Sequence, residues 1–188
     1  MRLSFWAKVL LLSVAACILC IGLLWGPPHF TTSSVAQRWG DPILDLETVQ
    51  TVEEVRLILS DAPSQDRETM RLKTQIDFAF VASYVALLVT LGVGMARHGG
   101  WRRMLGVTAA ICGLAAGVFD VFENLAILDI LDVKIAATTE QMLAAIRQPS
   151  TVKWSLAAIS VVLLLSHYES TVRSAVSRTL RRGQGRAR

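Results

Sequence analysis

The chain has 188 residues, 53% of them apolar and only 18% charged, with 19 Lys and Arg against 15 Asp and Glu and a net charge of +4. That composition is too apolar for an ordinary water-soluble domain of this length. The positive charge gathers at the ends of apolar runs, which makes it a membrane-topology signal and excludes a nucleic-acid footprint.

A hydrocarbon core about 30 Å thick takes roughly 20 helical residues to cross. Four apolar runs meet that length, at about 5–25, 76–96, 104–128 and 150–168. Arg2 and Lys8 precede or open the first run, and Trp6 and Trp25 bracket it about 28 Å apart along a helix axis, the spacing of two interfacial aromatic belts. Val14, Ala15, Ala16 and Cys17 imitate a lipoprotein processing box. Ile18, Leu19, Cys20 and Ile21 then continue the apolar run, so the segment reads as an uncleaved signal anchor. Cys17 and Cys20 form a CxxC inside this span, with Cys112 far off in span three, and read as small buried hydrophobes more readily than as a redox pair.

Gly26, Pro27 and Pro28 stop the first helix and open an external loop over 27–75 in which acids outnumber bases. Within it, Thr51 and Glu54 have capping-box spacing before Val55, Leu57, Ile58 and Leu59, which predicts a short extra-cytoplasmic helix ending at Asp61, Ala62 and Pro63. Such a helix is too short for a core of its own and is expected to fold against its neighbour or lie on the headgroups. Ser64 can cap the next helix, with Asp66 and Glu68 in its first turn, and no breaker precedes Gly92. That helix should run without interruption into span two.

Arg97, His98, Arg102 and Arg103 crowd the turn between spans two and three, and Arg173, Arg178, Arg181, Arg182, Arg186 and Arg188 follow span four. The positive-inside rule then places both termini and this turn in the cytoplasm, with 27–75 and the Asp132 to Pro149 loop outside. The fourth helix is expected to start near Ser150 and to continue past Tyr168. The basic tail at 169–188 carries Tyr168, Val172, Ala175, Val176 and Leu180 at helical intervals beside its start and along it. That pattern suits either a helix on anionic lipid or a solvated topogenic tail.

The most informative stretch is GVFDVFENLAIL, residues 117–128, where Asp120, Glu123 and Asn124 interrupt the third span. At about 100° per residue, Gly117, Asp120 and Asn124 lie within about 40° of Gly113, and Glu123 is about 60° from Asp120. Ala109, Gly113 and Gly117 form a small-residue ridge at which two membrane helices can approach closely. Asp120 and Asn124 extend that ridge and should point into the bundle.

Asp77 and Tyr84, seven residues apart, share a face of span two, and Lys153 stands at the outer end of span four beside Trp154. All these side chains fall in the outer half of the membrane. Their expected arrangement is layered, with Tyr84 reaching Asp120 below and Asp77, Glu123 and Asn124 gathering around Lys153 above. One lysine cannot neutralise three carboxylates, and each ionised acid at mid-membrane costs at least about 2.5 kcal/mol. At least one acid is therefore expected to be protonated, or a cationic group to supply the missing charge.

No metal or cofactor is expected. His29, His98 and His167 fall on opposite sides of the membrane, and Lys153 argues against a hard cation among the acids. Nothing matches a phosphate-binding glycine loop, a serine nucleophile elbow or a zinc protease helix.

The sequence thus describes an all-α integral membrane four-helix bundle, with both termini inside, in the cell membrane of bacterial inner-membrane type. Its polar site is either a buried network that fixes helix register or a site that binds a small polar or cationic group or organises a membrane complex. The alternatives are an enzyme acting on a lipid or isoprenoid by carboxylate general acid/base chemistry and a proton-coupled carrier. Expected partners are the lipid bilayer, anionic lipid at the tail, and a homo-oligomer or membrane-complex partner.

Overall fold

A computed structural model describes residues 5–27, 29, 42–61, 64–133 and 137–185, with 167–185 described by their helical course alone. All of its regular structure is helical: α1 Phe5–Trp25, α2 Pro42–Thr48, α3 Val52–Asp61, α4 Ser64–Ala96, α5 Gly100–Asp132 and α6 Glu140–Gly185. Helices α1, α4, α5 and α6 are each long and apolar enough to cross a membrane. The side-chain face predicted for the basic tail lies outside the described residues.

The four long helices alternate in direction. Cys17 meets Ser83 and Trp6 meets Arg97, so α1 runs antiparallel to α4. Tyr84 meets Asp120, and Lys153 and Ser160 meet Asp120 and Ala109, so α4, α5 and α6 alternate likewise. The bundle is not symmetric. Helix α5 packs closely against both α4 and α6, whereas α1 packs chiefly against α4 and turns Leu11, Leu12, Ile18 and Leu19 outward. Such faces are stable against acyl chains, which are as apolar as leucine.

Close approach of α4 and α5 is built on glycine. A Cβ on Gly113 would stand 2.7 Å from Leu88 Cβ, and one on Gly117 would collide with Val85. Ala109 is fully buried on the same ridge, and its carbonyl accepts a 2.9 Å hydrogen bond from Ser160 Oγ on α6. The tightest crossing lies further down that face, where a Cβ on Gly92 would stand 2.6 Å from the Gly106 carbonyl oxygen. Gly99 and Gly100, at φ 73° and 54°, then turn the chain sharply between the two helices.

Helices α4 and α5, at 33 residues each, are about 50 Å long, well beyond the 30 Å of hydrocarbon. Both overshoot at the end opposite the arginine turn. There α2 and α3 fold across the overshoot and across the first turns of α6, making a cap with its own hydrophobic core. Leu46, Val55, Met70, Ile127, Leu143 and Ile146 are buried within it at 0–2% exposure. The short helix α3 thus folds against its neighbours and shares a core to which three long helices each contribute a wall. Beyond the lipid, apolar side chains can escape water only by packing on protein.

Local signals fix the cap's helices. Thr51 Oγ1 accepts from the Glu54 amide at 3.2 Å and Glu54 Oε2 accepts from the Thr51 amide at 3.3 Å, a reciprocal capping box. Arg67 donates to the Leu59 carbonyl at 2.8 Å, tying α4 to α3, and Arg71 pairs with Asp132 across α4 and α5.

The loop expected over Asp132 to Pro149 is shorter than that, because α6 begins at Glu140 and runs through Pro149. Thr139 caps it, its Oγ1 accepting from the Met142 amide at 3.4 Å, and Leu143 and Ile146 anchor the extra turns in the cap core. Proline removes one helical N–H and crowds the preceding turn, a cost of about 3 kcal/mol. Two fully buried aliphatic side chains, at roughly 1.5–3 kcal/mol each, outweigh it.

Candidate functional site

The third span supplies the centre of the site. The ridge that faces α4 through Gly113 and Gly117 continues upward into Asp120, Glu123 and Asn124, all of them buried, with Glu123 at 0% exposure. Helix α6 brings Lys153 to this level on its buried side, while its neighbour Trp154 faces outward at 59% exposure. The ammonium remains 5.4 Å from the Trp154 ring centroid.

Lys153 Nζ lies 2.6 Å from Glu123 Oε2, 3.0 Å from Asp120 Oδ1 and 3.4 Å from Glu47 Oε2. An ammonium has three donors, and three carboxylates surround this one. Asp120 is held on both oxygens, since Tyr84 donates its hydroxyl to Oδ2 at 2.9 Å. Asp77 takes a 2.6 Å hydrogen bond from Asn124 Nδ2. Glu123 Oε1 is buried and has no hydrogen-bond partner among the described residues.

The layered arrangement expected from the sequence is thus rearranged in detail. Tyr84 does reach Asp120, but Asp120 also belongs to the lysine layer. Asp77 and Asn124 form a pair beside that layer in place of joining it. Five of the six polar residues named from the sequence come from α4 and α5, and Lys153 from α6 completes the set.

Glu47 is the residue that sequence reasoning missed. It belongs to α2, a helix of seven residues, too short to show an amphipathic period. The available signal was Pro42, which stands at the first helical position, where its missing N–H costs nothing. Through Glu47 the cap touches Lys153 directly, and the Glu47 side chain is only 10% exposed. Burial pushes the Glu47 carboxyl above its ordinary range, Asp120 and Asp77 push it the same way, and Lys153 opposes them.

The electrostatic balance is lopsided. Three carboxyls, Glu47, Asp120 and Glu123, meet one lysine, with Asp77 beside them on Asn124, so full ionisation of the three would leave two negative charges that this ammonium does not compensate. Among the described residues, no three of His, Cys, Asp and Glu are arranged to hold a metal ion.

The cysteines lie elsewhere. Cys17 and Cys20 are free and buried against α4, with Cys17 Sγ 3.2 Å from Ser83 Oγ. Comparison with known proteins finds no matching family, no matching curated protein and no matching solved structure.

Proposed function

We propose that this is a multi-pass protein of the cell membrane, with the arginine end and both termini in the cytoplasm and the cap outside, whose acidic centre binds a small polar or cationic group. One observation carries the reading: three carboxyls, Glu47, Asp120 and Glu123, surround one ammonium, and Glu123 Oε1 is buried with no partner among the described residues. A buried carboxyl oxygen left unpaired costs about 1–3 kcal/mol, more if charged. A bound amine would recover that cost and reduce the negative excess together. In this reading Glu123 and Asp120 are the main acceptors, Lys153 is the fixed counter-ion, Tyr84 and Asn124 orient the acids, Glu47 closes the ring and Asp77 stands beside it. The same acceptors would take the basic side chain of a membrane-complex partner.

The test is thermal unfolding of the detergent-solubilised protein against methylammonium, ethanolamine, choline and sodium chloride as the ionic-strength control. A saturable rise in Tm with at least one amine, absent with sodium and lost in Glu123→Gln and Asp120→Asn, supports the reading. No amine-specific rise in wild type overturns it.

A second reading draws on the chain Tyr84, Asp120, Lys153. Asp120 is held on both oxygens, and Glu123 retains one unengaged oxygen, a division that suits a fixed charge beside a proton carrier. An enzyme built this way would act on a lipid or isoprenoid. Loss of one lipid conversion in Glu123→Gln, with Tm unchanged, would favour it over simple binding.

A further inference from the structure

At the arginine end, well away from the acidic centre, α1, α4 and α6 leave a groove of about 400 Å³ between them, within the range of pockets that hold small molecules. Trp6 and Leu10 of α1, Leu91 and Gly94 of α4, and Leu164 of α6 line it, and His98 stands in its wall. The lining is almost wholly apolar. Gly94 opens onto empty space, since a Cβ there would meet nothing within 4 Å.

The mouth has the opposite character. The Arg97 guanidinium lies over the Trp6 ring, 4.3 Å from its centroid, so a fixed cation stands at the rim of an apolar slot. His98 is pinned beside it by its Nδ1, which donates to the Met95 carbonyl at 3.2 Å. Between Asp77 and Asp120 the chain carries Arg97, Arg102 and Arg103 and no acid, and α1 opens at this end with Lys8 and no acid. Basic residues therefore outnumber acids at this end, where Glu169 of α6 is the acid that follows Leu164.

We infer that the groove is a binding site for an anionic phospholipid of the surrounding bilayer, one acyl chain lying along Leu10, Leu91 and Leu164 and the phosphate facing Arg97. The occupant follows from the combination. An apolar slot within the hydrocarbon requires a hydrophobic body, and a guanidinium held at the headgroup level by a tryptophan requires an anion.

Native mass spectrometry of the full chain released from nanodiscs tests it, with equal parts phosphatidylglycerol and phosphatidylcholine. Wild type should retain one phosphatidylglycerol in preference to phosphatidylcholine. Arg97→Gln should weaken that preference about fivefold, the value of one basic residue at a membrane surface. Arg181→Gln in the tail removes the same net charge and should change nothing. Gly94→Leu enters the slot from a Cβ that meets nothing within 4 Å and should abolish the retained lipid while leaving Tm unchanged. Equal retention of both lipids, or a phosphatidylglycerol preference that survives Arg97→Gln and Gly94→Leu or falls equally with Arg181→Gln, overturns the inference.

Discussion

Lys153 Nζ stands 2.6 Å from Glu123 Oε2, with both side chains withdrawn from solvent. Asp120 and Glu47 compete for the same ammonium, so the two members of the pair are not equally replaceable. Removing the lysine strands several buried acids at once, whereas removing one acid relieves an excess. Lys153→Met should cost about 3–5 kcal/mol, the value of breaking a buried pair from one side, and Glu123→Gln less than that, because the ammonium keeps Asp120 and Glu47. The double variant should recover part of the lysine loss. Unfolding midpoints in mild detergent give the ordering, and an equal loss from either single substitution would refute the excess-acid picture.

Glu47 gives the cap a pH dependence of definite sign. Its carboxyl lies above the ordinary glutamate range because burial penalises the charged form, with Asp120 and Asp77 acting the same way against Lys153. The unfolded chain therefore ionises Glu47 at lower pH than the folded one does. Its contribution to stability is full below the ordinary glutamate value and declines as pH rises through the raised one. Hydrogen exchange at the α2 amides, corrected for intrinsic rates, should show the cap loosening over that rise. In Glu47→Gln the dependence should flatten, and identical profiles in the two proteins would show that Glu47 does not titrate there.

Much of the membrane part was legible in the sequence because the lipid imposes a length and the helix imposes an angle. The apolar run ending at Trp25, the ridge through Gly113 and Gly117, and the inward face of Asp120 all follow from those two numbers. The cap was not legible for the converse reason. Leu46, Val55, Met70, Ile127 and Ile146 are separate in sequence, each belongs to a different helix, and only their convergence makes a core. Glu47 was hidden with α2, and the first turns of α6 were hidden behind Pro149, whose breaking tendency is outweighed by contacts that no local pattern reveals. Gly92 and Gly106 were visible as residues but not as partners, because their meeting depends on the register of two helices.

That register is open to a controlled test. A Cβ at Gly92 would stand 2.6 Å from the Gly106 carbonyl oxygen, a contact with backbone that no rotamer change relieves, whereas a Cβ at Gly22 meets nothing within 4 Å. Gly92→Ala should cost about 1–3 kcal/mol as an overpacked contact. Gly22→Ala should be neutral or stabilise by up to about 1 kcal/mol through helix propensity. Equal midpoints for the two variants would mean that α4 and α5 do not cross at these glycines.

Two hydrogen bonds, to Asp120 and to the half-buried Asp77, differ in what remains when each is removed. Tyr84→Phe takes one donor from Asp120, which keeps Lys153 at 3.0 Å. Asn124→Ala takes from Asp77 the side-chain donor that it has among the described residues, at 2.6 Å. Hydrogen bonds to charged groups in water-soluble proteins contribute about 1.5–3 kcal/mol, but between membrane helices the measured average is about 0.6. The second scale applies to Tyr84, since Asp120 stays paired after the loss, and Tyr84→Phe should shift stability by about 0.6 kcal/mol. Asn124→Ala leaves a half-buried acceptor without that donor and should cost about 1–3 kcal/mol. Unfolding midpoints should therefore rank Asn124→Ala as the more damaging. The reverse order would mean that the tyrosine, and not the lysine, holds Asp120 in place, and Tyr84→Phe would then be expected to abolish the response to amines as completely as Asp120→Asn.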